Sequence, residues 1–338
     1  MRRDANFESF LKNQRDGSYI RAREQAYIRH YYSDQSGDDK MDNAMNWLLE
    51  DNNPAIKYLT MTNLAGLPVD KCKETYELVQ RQKSVLRMFE KQDDNGLWNN
   101  DWGINTSLRY LTAFAELGMQ RDERLDRFVD YTVTNLRAAE MVNDLAGCGS
   151  ALTLRALVML GYHERGDVMD LVTNFSEKQL YDGGFMCRMK LEKKPGRKSC
   201  YRASIATVLL YSECKLKGFL PSNSSSLLNY FLKRNVFYSS DKSMKFDEGR
   251  FGWRLVDNFY PVEPMRMAFV QTVAALSVLG AGNDPAMQEA WDMLDERKDE
   301  NDRLPLDGTL SKQPCTFGKV GVANKWITYY AALAEKYR

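Results

Sequence analysis

Two aspartates stand where chemistry could be done. Asp101 lies between aromatic residues in NNDWG, and Asp182 lies in YDGGF. A carboxyl group walled by rings loses hydration, which raises its pKa and makes it a candidate acid near neutral pH. Both are read as candidate catalytic residues. Around them gather Trp98, Trp102, Cys187, Arg188, Tyr201, Arg202, Arg254, Asp257, Tyr260, Lys325, Trp326 and Tyr329, with Lys198 nearby. Guanidinium and ammonium groups grip a phosphate or carboxylate. Aromatic walls hold an apolar tail. The set therefore suits a small amphipathic ligand with an anionic head, and these residues are read as ligand-binding. The same residues also admit a plainer reading, as the solvated rim charges and core aromatics of a helical ring.

Other chemistries find less support. DDKMD, Asp38 to Asp42, has carboxylates spaced for magnesium on a diphosphate. It sits in a polar turn before a helix, where acidic residues already favour the helix dipole. The chain has only two histidines, His30 and His163, and no nucleophile motif to pair with them in a triad. Its six cysteines form no CxxC pair, so neither a zinc ribbon nor a disulfide framework is signalled. No metal and no cofactor is expected. Lys+Arg is 47 against 46 Asp+Glu, which argues against nucleic acid as a partner. No apolar run reaches membrane-spanning length, and MRRDANFESFLKNQRDGSY lacks a signal-peptide core, so a cytoplasmic location is expected.

The elements that would position these residues repeat. IKYLTMTNLAG, TSLRYLTAFAELG, SALTLRALVMLG, ASIATVLLYSECKLKG and AFVQTVAALSVLG end on Gly66, Gly118, Gly161, Gly218 and Gly280. A sixth copy, KWITYYAALAEKYR, closes the chain. Glycine after an apolar helix is the usual left-handed cap. The spacing of 43 to 62 residues predicts stacked helical hairpins. Between these helices lie amphipathic ones, such as RLDRFVDYTVTNLR, DVMDLVTNFSEKQ and DPAMQEAWDMLDERK, each with one apolar stripe. The copy from Leu152 to Leu160 carries one charge, Arg155, and a helix apolar all round must be covered all round. Asn53-Pro54 and Asp284-Pro285 read as an N-cap followed by proline at the first helical position. The prediction is an all-α fold, an α/α6 toroid (barrel) of six inner and about six outer helices. Residues 1–338 form a single domain in this reading, with 1–45 a helical extension packing on or into the ring. A straight solenoid is the alternative, with more uniform periods.

Two connections share a pattern: Gln92, Gly96 and Trp98 in one, Gln179, Gly183 and Phe185 in the other. This Q-x3-G-x-W pattern resembles the QW-like repeat of squalene and oxidosqualene cyclases. LYDGGFMCR, followed by GRKSCYRASIATVLLY, resembles the GGF and CY stretches of protein prenyltransferase β subunits. GKVGVANKWITYYAALA resembles the last toroid helix of the same superfamily. The resemblance implies an α/α toroid with an aromatic-lined cavity for isoprenoid chains. The superfamily's catalytic residues do not carry over. Of the prenyltransferase zinc ligands, Cys200 matches, but Lys198 and Ile327 stand where an aspartate and a histidine are needed, and neither suits zinc there. No DxDD acid is present, and Cys148 opens CGSA rather than a thioester motif.

Three functional readings follow. The first is a prenyltransferase- or terpenoid-cyclase-like protein, binding or transforming an isoprenoid-like molecule. If an enzyme, it is a transferase or a cyclase, but not of the zinc or DxDD type. The second is a carbohydrate-active α/α barrel with Asp101 facing Asp257 or Glu263. The third is a non-catalytic toroid scaffold for a peptide or protein partner.

Overall fold

Asn53 and Asp284 begin helices as their side chains dictate. Asn53 Oδ1 accepts from the Ile56 amide at 3.2 Å, and Asp284 Oδ1 accepts from the Ala286 amide at 2.8 Å, each with proline next in line. The structure is a computed structural model that describes residues 39–98, 104–141, 145–187, 198–246, 268–309 and 313–338. Its helices are α1 (Asp39–Leu48), α2 (Pro54–Leu59), α3 (Lys73–Gln80), α4 (Lys83–Phe89), α5 (Ile104–Glu116), α6 (Glu123–Met141) and α7 (Gly147–Met159). There follow α8 (Gly166–Ser176), α9 (Tyr201–Leu216), α10 (Ser224–Leu232), α11 (Phe269–Leu276), α12 (Gln288–Asp295) and α13 (Lys325–Lys336). Helix α2 widens into a π turn over Thr60–Leu64, and α11 into another over Ser277–Ala281. Among the described residues there is no β-strand, only three isolated bridges, so the fold is all-α as expected. Of the expected 1–45 extension, residues 1–38 lie outside the described residues.

The helices fall into the two kinds that hydrophobic patterning predicts. Helix α6 buries Leu125, Phe128, Val129, Val133 and Leu136, and α8 buries Val168, Leu171, Val172 and Phe175. In both, the other face carries charge. The residue preceding α12, Met287, is buried, as are Trp291 and Leu294 within it. Helices α7, α9, α11 and α13 are buried on every side. They pack in sequence order: α5 on α7, α7 on α9, α9 on α11 and α11 on α13. Helix α13 then packs on α2 with its π turn and on α1. All five capping glycines take positive φ, from 65° at Gly66 to 105° at Gly280.

The glutamine-glycine connections form one recurring turn. The Gly96 amide donates to Asp93 O and the Asp93 amide to Leu97 O, both at 2.8 Å. In the second copy the Gly183 amide donates to Leu180 O and the Leu180 amide to Gly184 O, both at 2.9 Å. The glutamine ties each turn to the start of a later helix, α6 or α10. Gln92 Nε2 donates to Gly96 O and to Arg124 O at the start of α6; Gln179 Nε2 donates to Gly183 O and to Asn223 O just before α10. The aromatic two residues after the glycine then covers the core. Trp98 stacks on Tyr110 at 4.7 Å and donates from Nε1 to Met88 O, while Phe185 stacks on Phe175 at 5.3 Å.

A third copy escaped the sequence reading. The Asp302 amide donates to Asp299 O at 3.0 Å and the Asp299 amide to Arg303 O at 2.9 Å. Asp302 takes the glycine's place at φ 58°. Aspartate tolerates this left-handed region better than most residues, because its short side chain bonds locally.

The GGF pair has a second constraint. A Cβ at Gly183 would lie 2.4 Å from Ser226 O, besides φ +87°; a Cβ at Gly218, φ +85°, would meet nothing within 4 Å. Gly218→Ala should therefore cost only the left-handed penalty, about 1–2 kcal/mol. Gly183→Ala should cost about 1–3 kcal/mol more through forced overpacking. Urea unfolding of the two variants measures the difference.

Candidate functional site

Two turns that lead into buried helices make the same hydrogen bonds. In the first, the Cys200 amide donates to Phe185 O at 2.7 Å and the Phe185 amide to Ser204 Oγ at 3.0 Å. In the second, the Asn324 amide donates to Leu304 O at 2.7 Å and the Leu304 amide to Thr328 Oγ1 at 2.9 Å. Phe185 thus corresponds to Leu304, Cys200 to Asn324, Ser204 to Thr328, Tyr201 to Lys325 and Arg202 to Trp326. Tyr201 and Lys325 also act alike. The Tyr201 hydroxyl donates to Val236 O, beyond α10, and Lys325 Nζ donates to Trp47 O, in the last turn of α1.

These bonds show what each expected rim residue does. Asp182 takes Ser199 on both oxygens: Oδ2 accepts from the Ser199 amide at 3.0 Å and Oδ1 from its hydroxyl. It pins the segment entering α9 to the GGF turn. Lys198 reaches Ser240 Oγ at 3.4 Å. Tyr201 is buried among Tyr230, Phe231 and Phe246, and burial, with Tyr230 beside it, holds its hydroxyl protonated. Lys325 is buried, bonded to Glu50 and Asn52, and lies over the Trp47 ring. Burial lowers its pKa, Glu50 opposes that, and Arg303 adds to it. Trp98 is a buried core residue, and Cys187 is half-buried against the core. Asp101, Trp102, Arg188, Arg254, Asp257 and Tyr260 lie outside the described residues. So the structure brings Asp182, Lys198, Tyr201 and Arg202 together at the start of α9, and Lys325, Trp326 and Tyr329 at the start of α13. Most of these polar atoms are engaged in holding turns to helices.

Arg202 differs from the rest. It is half-buried in the first turn of α9 and makes no hydrogen bond or ion pair among the described residues. Its counterpart Trp326 donates from Nε1 to Glu116 O at 2.9 Å.

Deeper in the fold lies a polar network that the sequence reading did not assemble. Arg155, 4 % exposed on α7, donates from Nη1 to Glu116 Oε1 at 2.9 Å and from Nη2 to Glu213 Oε1 at 3.1 Å. Nη2 also reaches the Tyr330 hydroxyl at 2.9 Å, and that hydroxyl donates to Glu116 Oε2 at 2.6 Å. Beside it the Tyr329 hydroxyl accepts from Asn63 Nδ2 at 2.7 Å, which the π turn ending α2 supplies. One cation thus joins carboxylates from α5 and α9 and a phenol from α13. Burial works against the charge on Arg155, but Tyr330, Glu116 and Glu213 outweigh it, and its pKa rises well above the ordinary value. Glu213 moves upward too, chiefly by burial and further by Glu116, with Arg155 pulling the other way. Burial and Glu116 keep the Tyr330 hydroxyl protonated.

The sequence held one clue to this network: a lone arginine in a helix apolar all round. Its partners were hidden because Glu116 and Glu213 stand near helix ends, where acidic residues normally meet water. The remaining histidine within the described residues, His163, stacks on Phe219 at 5.8 Å in the turn region after Gly161 and Gly218. Burial and Lys217 lower its pKa.

Among the described residues no group of three or more His, Cys, Asp and Glu side chains could hold a metal. Nor is any described helix long and apolar enough to cross a membrane. No family model matches the chain, and neither a curated protein nor a solved structure is found similar to it.

Removing the cation of the network should be severe. Arg155→Met removes the only guanidinium that the Glu116 and Glu213 carboxyls share, at a cost of about 3–5 kcal/mol near pH 7.5. That cost should shrink toward pH 5, as the stranded carboxyls take up protons. Chemical unfolding at both pH values checks the size and the sign.

Proposed function

We propose that the chain is a single α/α toroid that binds an amphipathic, isoprenoid-like molecule, anionic head at the rim where the inner helices begin. Support for the ring comes from order and equivalence. Helices α2, α5, α7, α9, α11 and α13 alternate along the chain with the outer set, and neighbours in this order from α5 to α13 pack together. Lys325 reaches α1 as Tyr201 reaches the segment beyond α10. Contact of α1 with α13 supports this reading, since a closed ring needs an outer helix there and a solenoid does not.

The observation that carries the ligand reading is Arg202. It is a half-buried cation at an inner-helix N-terminus without an ion pair among the described residues, while the buried lysine at the equivalent rim turn is fully engaged. A guanidinium in a helix's first turn opposes the dipole there, and an anion between them relieves both. Asp182, committed to Ser199, serves this reading as the residue that positions the turn rather than as an acid. The scaffold reading gains from one further fact: Trp98, Tyr201, Trp326 and Tyr329 all serve the packing of the fold.

Farnesyl diphosphate, farnesol and inorganic pyrophosphate separate these readings by calorimetry. The ligand reading expects the diphosphate to bind more tightly than either part alone. Arg202→Ala should weaken it about tenfold, the loss of one charge-assisted hydrogen bond. Absence of binding by all three probes, with a ligand-free mass for the purified native protein, sinks the proposal in favour of a scaffold.

A further inference from the structure

The Arg155 network is unbalanced in charge. Two carboxylates and one guanidinium share it, and Tyr330 contributes a hydrogen bond but no charge. Glu116 Oε1 and Oε2 are both engaged, by Arg155 and Tyr330 respectively. Glu213 has one oxygen on Arg155 and keeps 13 % side-chain exposure, against 2 % for Glu116. It is therefore the member that water can reach. A buried network with an uncompensated negative charge is costly, and one proton removes that cost.

We propose that this network carries one proton on its carboxylates in the folded protein at neutral pH, entering through Glu213, and that this proton makes the joining of α5, α7, α9 and α13 depend on pH. The surroundings agree. Helix α7 brings Arg155, α5 brings Glu116 and α13 brings Tyr329 and Tyr330. Within α9 and its cap, Cys214 and Lys217 are close, and Lys217 is the one further cation that acts on Glu213. Helix α11 and the 277–281 turn, which also pack on α9, hold no titratable side chain, and α10 brings Tyr230, whose hydroxyl burial keeps protonated.

The sign follows from linkage. Glu213 has a raised pKa in the folded state, so its proton stabilises fully below the ordinary glutamate value of 4.5. That stabilisation is lost as pH rises through the folded value. One proton changes the unfolding equilibrium about tenfold per pH unit in that window. His163 contributes in the opposite direction near its ordinary value, so the readout is the difference between wild type and variant.

The experiment is urea unfolding from pH 5 to 8 on the full chain, wild type against Glu213→Gln, which keeps an acceptor for Arg155 and cannot ionise. Wild type should lose stability with rising pH relative to the variant. Parallel profiles overturn the proposal. Should the variant fail to fold, infrared spectroscopy of the wild type decides: a protonated-carboxyl band at pH 7, shifted in heavy water, is expected. Absence of that band overturns the proposal, as does its persistence in both Glu213→Gln and Glu116→Gln.

Discussion

The guanidinium of Arg155, on α7, joins side chains from three further buried helices, α5, α9 and α13. The geometry is directional: each Nη atom serves a different carboxylate, and the Tyr330 hydroxyl bridges Nη2 to Glu116 Oε2. Apolar packing is non-directional, so it places α5, α9 and α13 less sharply than directional bonds do. A fork of hydrogen bonds fixes their heights. The apolar helices supply the stability, and the network supplies the register.

At the turns between helices the same division of labour appears in milder form. The glutamine turns lock each connection to a later amphipathic helix, and the Cys200 and Asn324 turns lock each connection to the buried helix it enters. Polar residues in these places look like chemistry when read along the chain. Most are architecture. What remains uncommitted among the described rim residues, Arg202 above all, stands out against that background.

The sequence displayed the fold's periodicity because helix ends have strong local rules. Glycine at Gly66, Gly118, Gly161, Gly218 and Gly280 reports a left-handed cap, and Asn53 and Asp284 report N-caps, all without reference to the rest of the fold. Apolar stripes such as Phe128-Val129-Val133 report burial in the same local way. The third glutamine-type turn was invisible because Asp302 and Lys298 replace the glycine and glutamine while the backbone bonds persist. The roles of Asp182, Tyr201 and Lys325 were equally hidden. Each depends on a carbonyl or hydroxyl far away in sequence, and residue type says nothing about whether such a partner exists. Arg155 lay between these extremes: its position demanded buried anions without saying which.

The Arg155 network also has a temporal meaning. Glu116 and Tyr330 are 214 positions apart, and Arg155 and Tyr330 are 175 apart. Contacts this distant in sequence form only after long loops close, and such closure is slow. During synthesis α5, α7 and α9 emerge with two glutamates around one arginine and no phenol to bridge them. Of the four helices α13 is the last to be made, so Tyr330 completes the network only after the other three members exist.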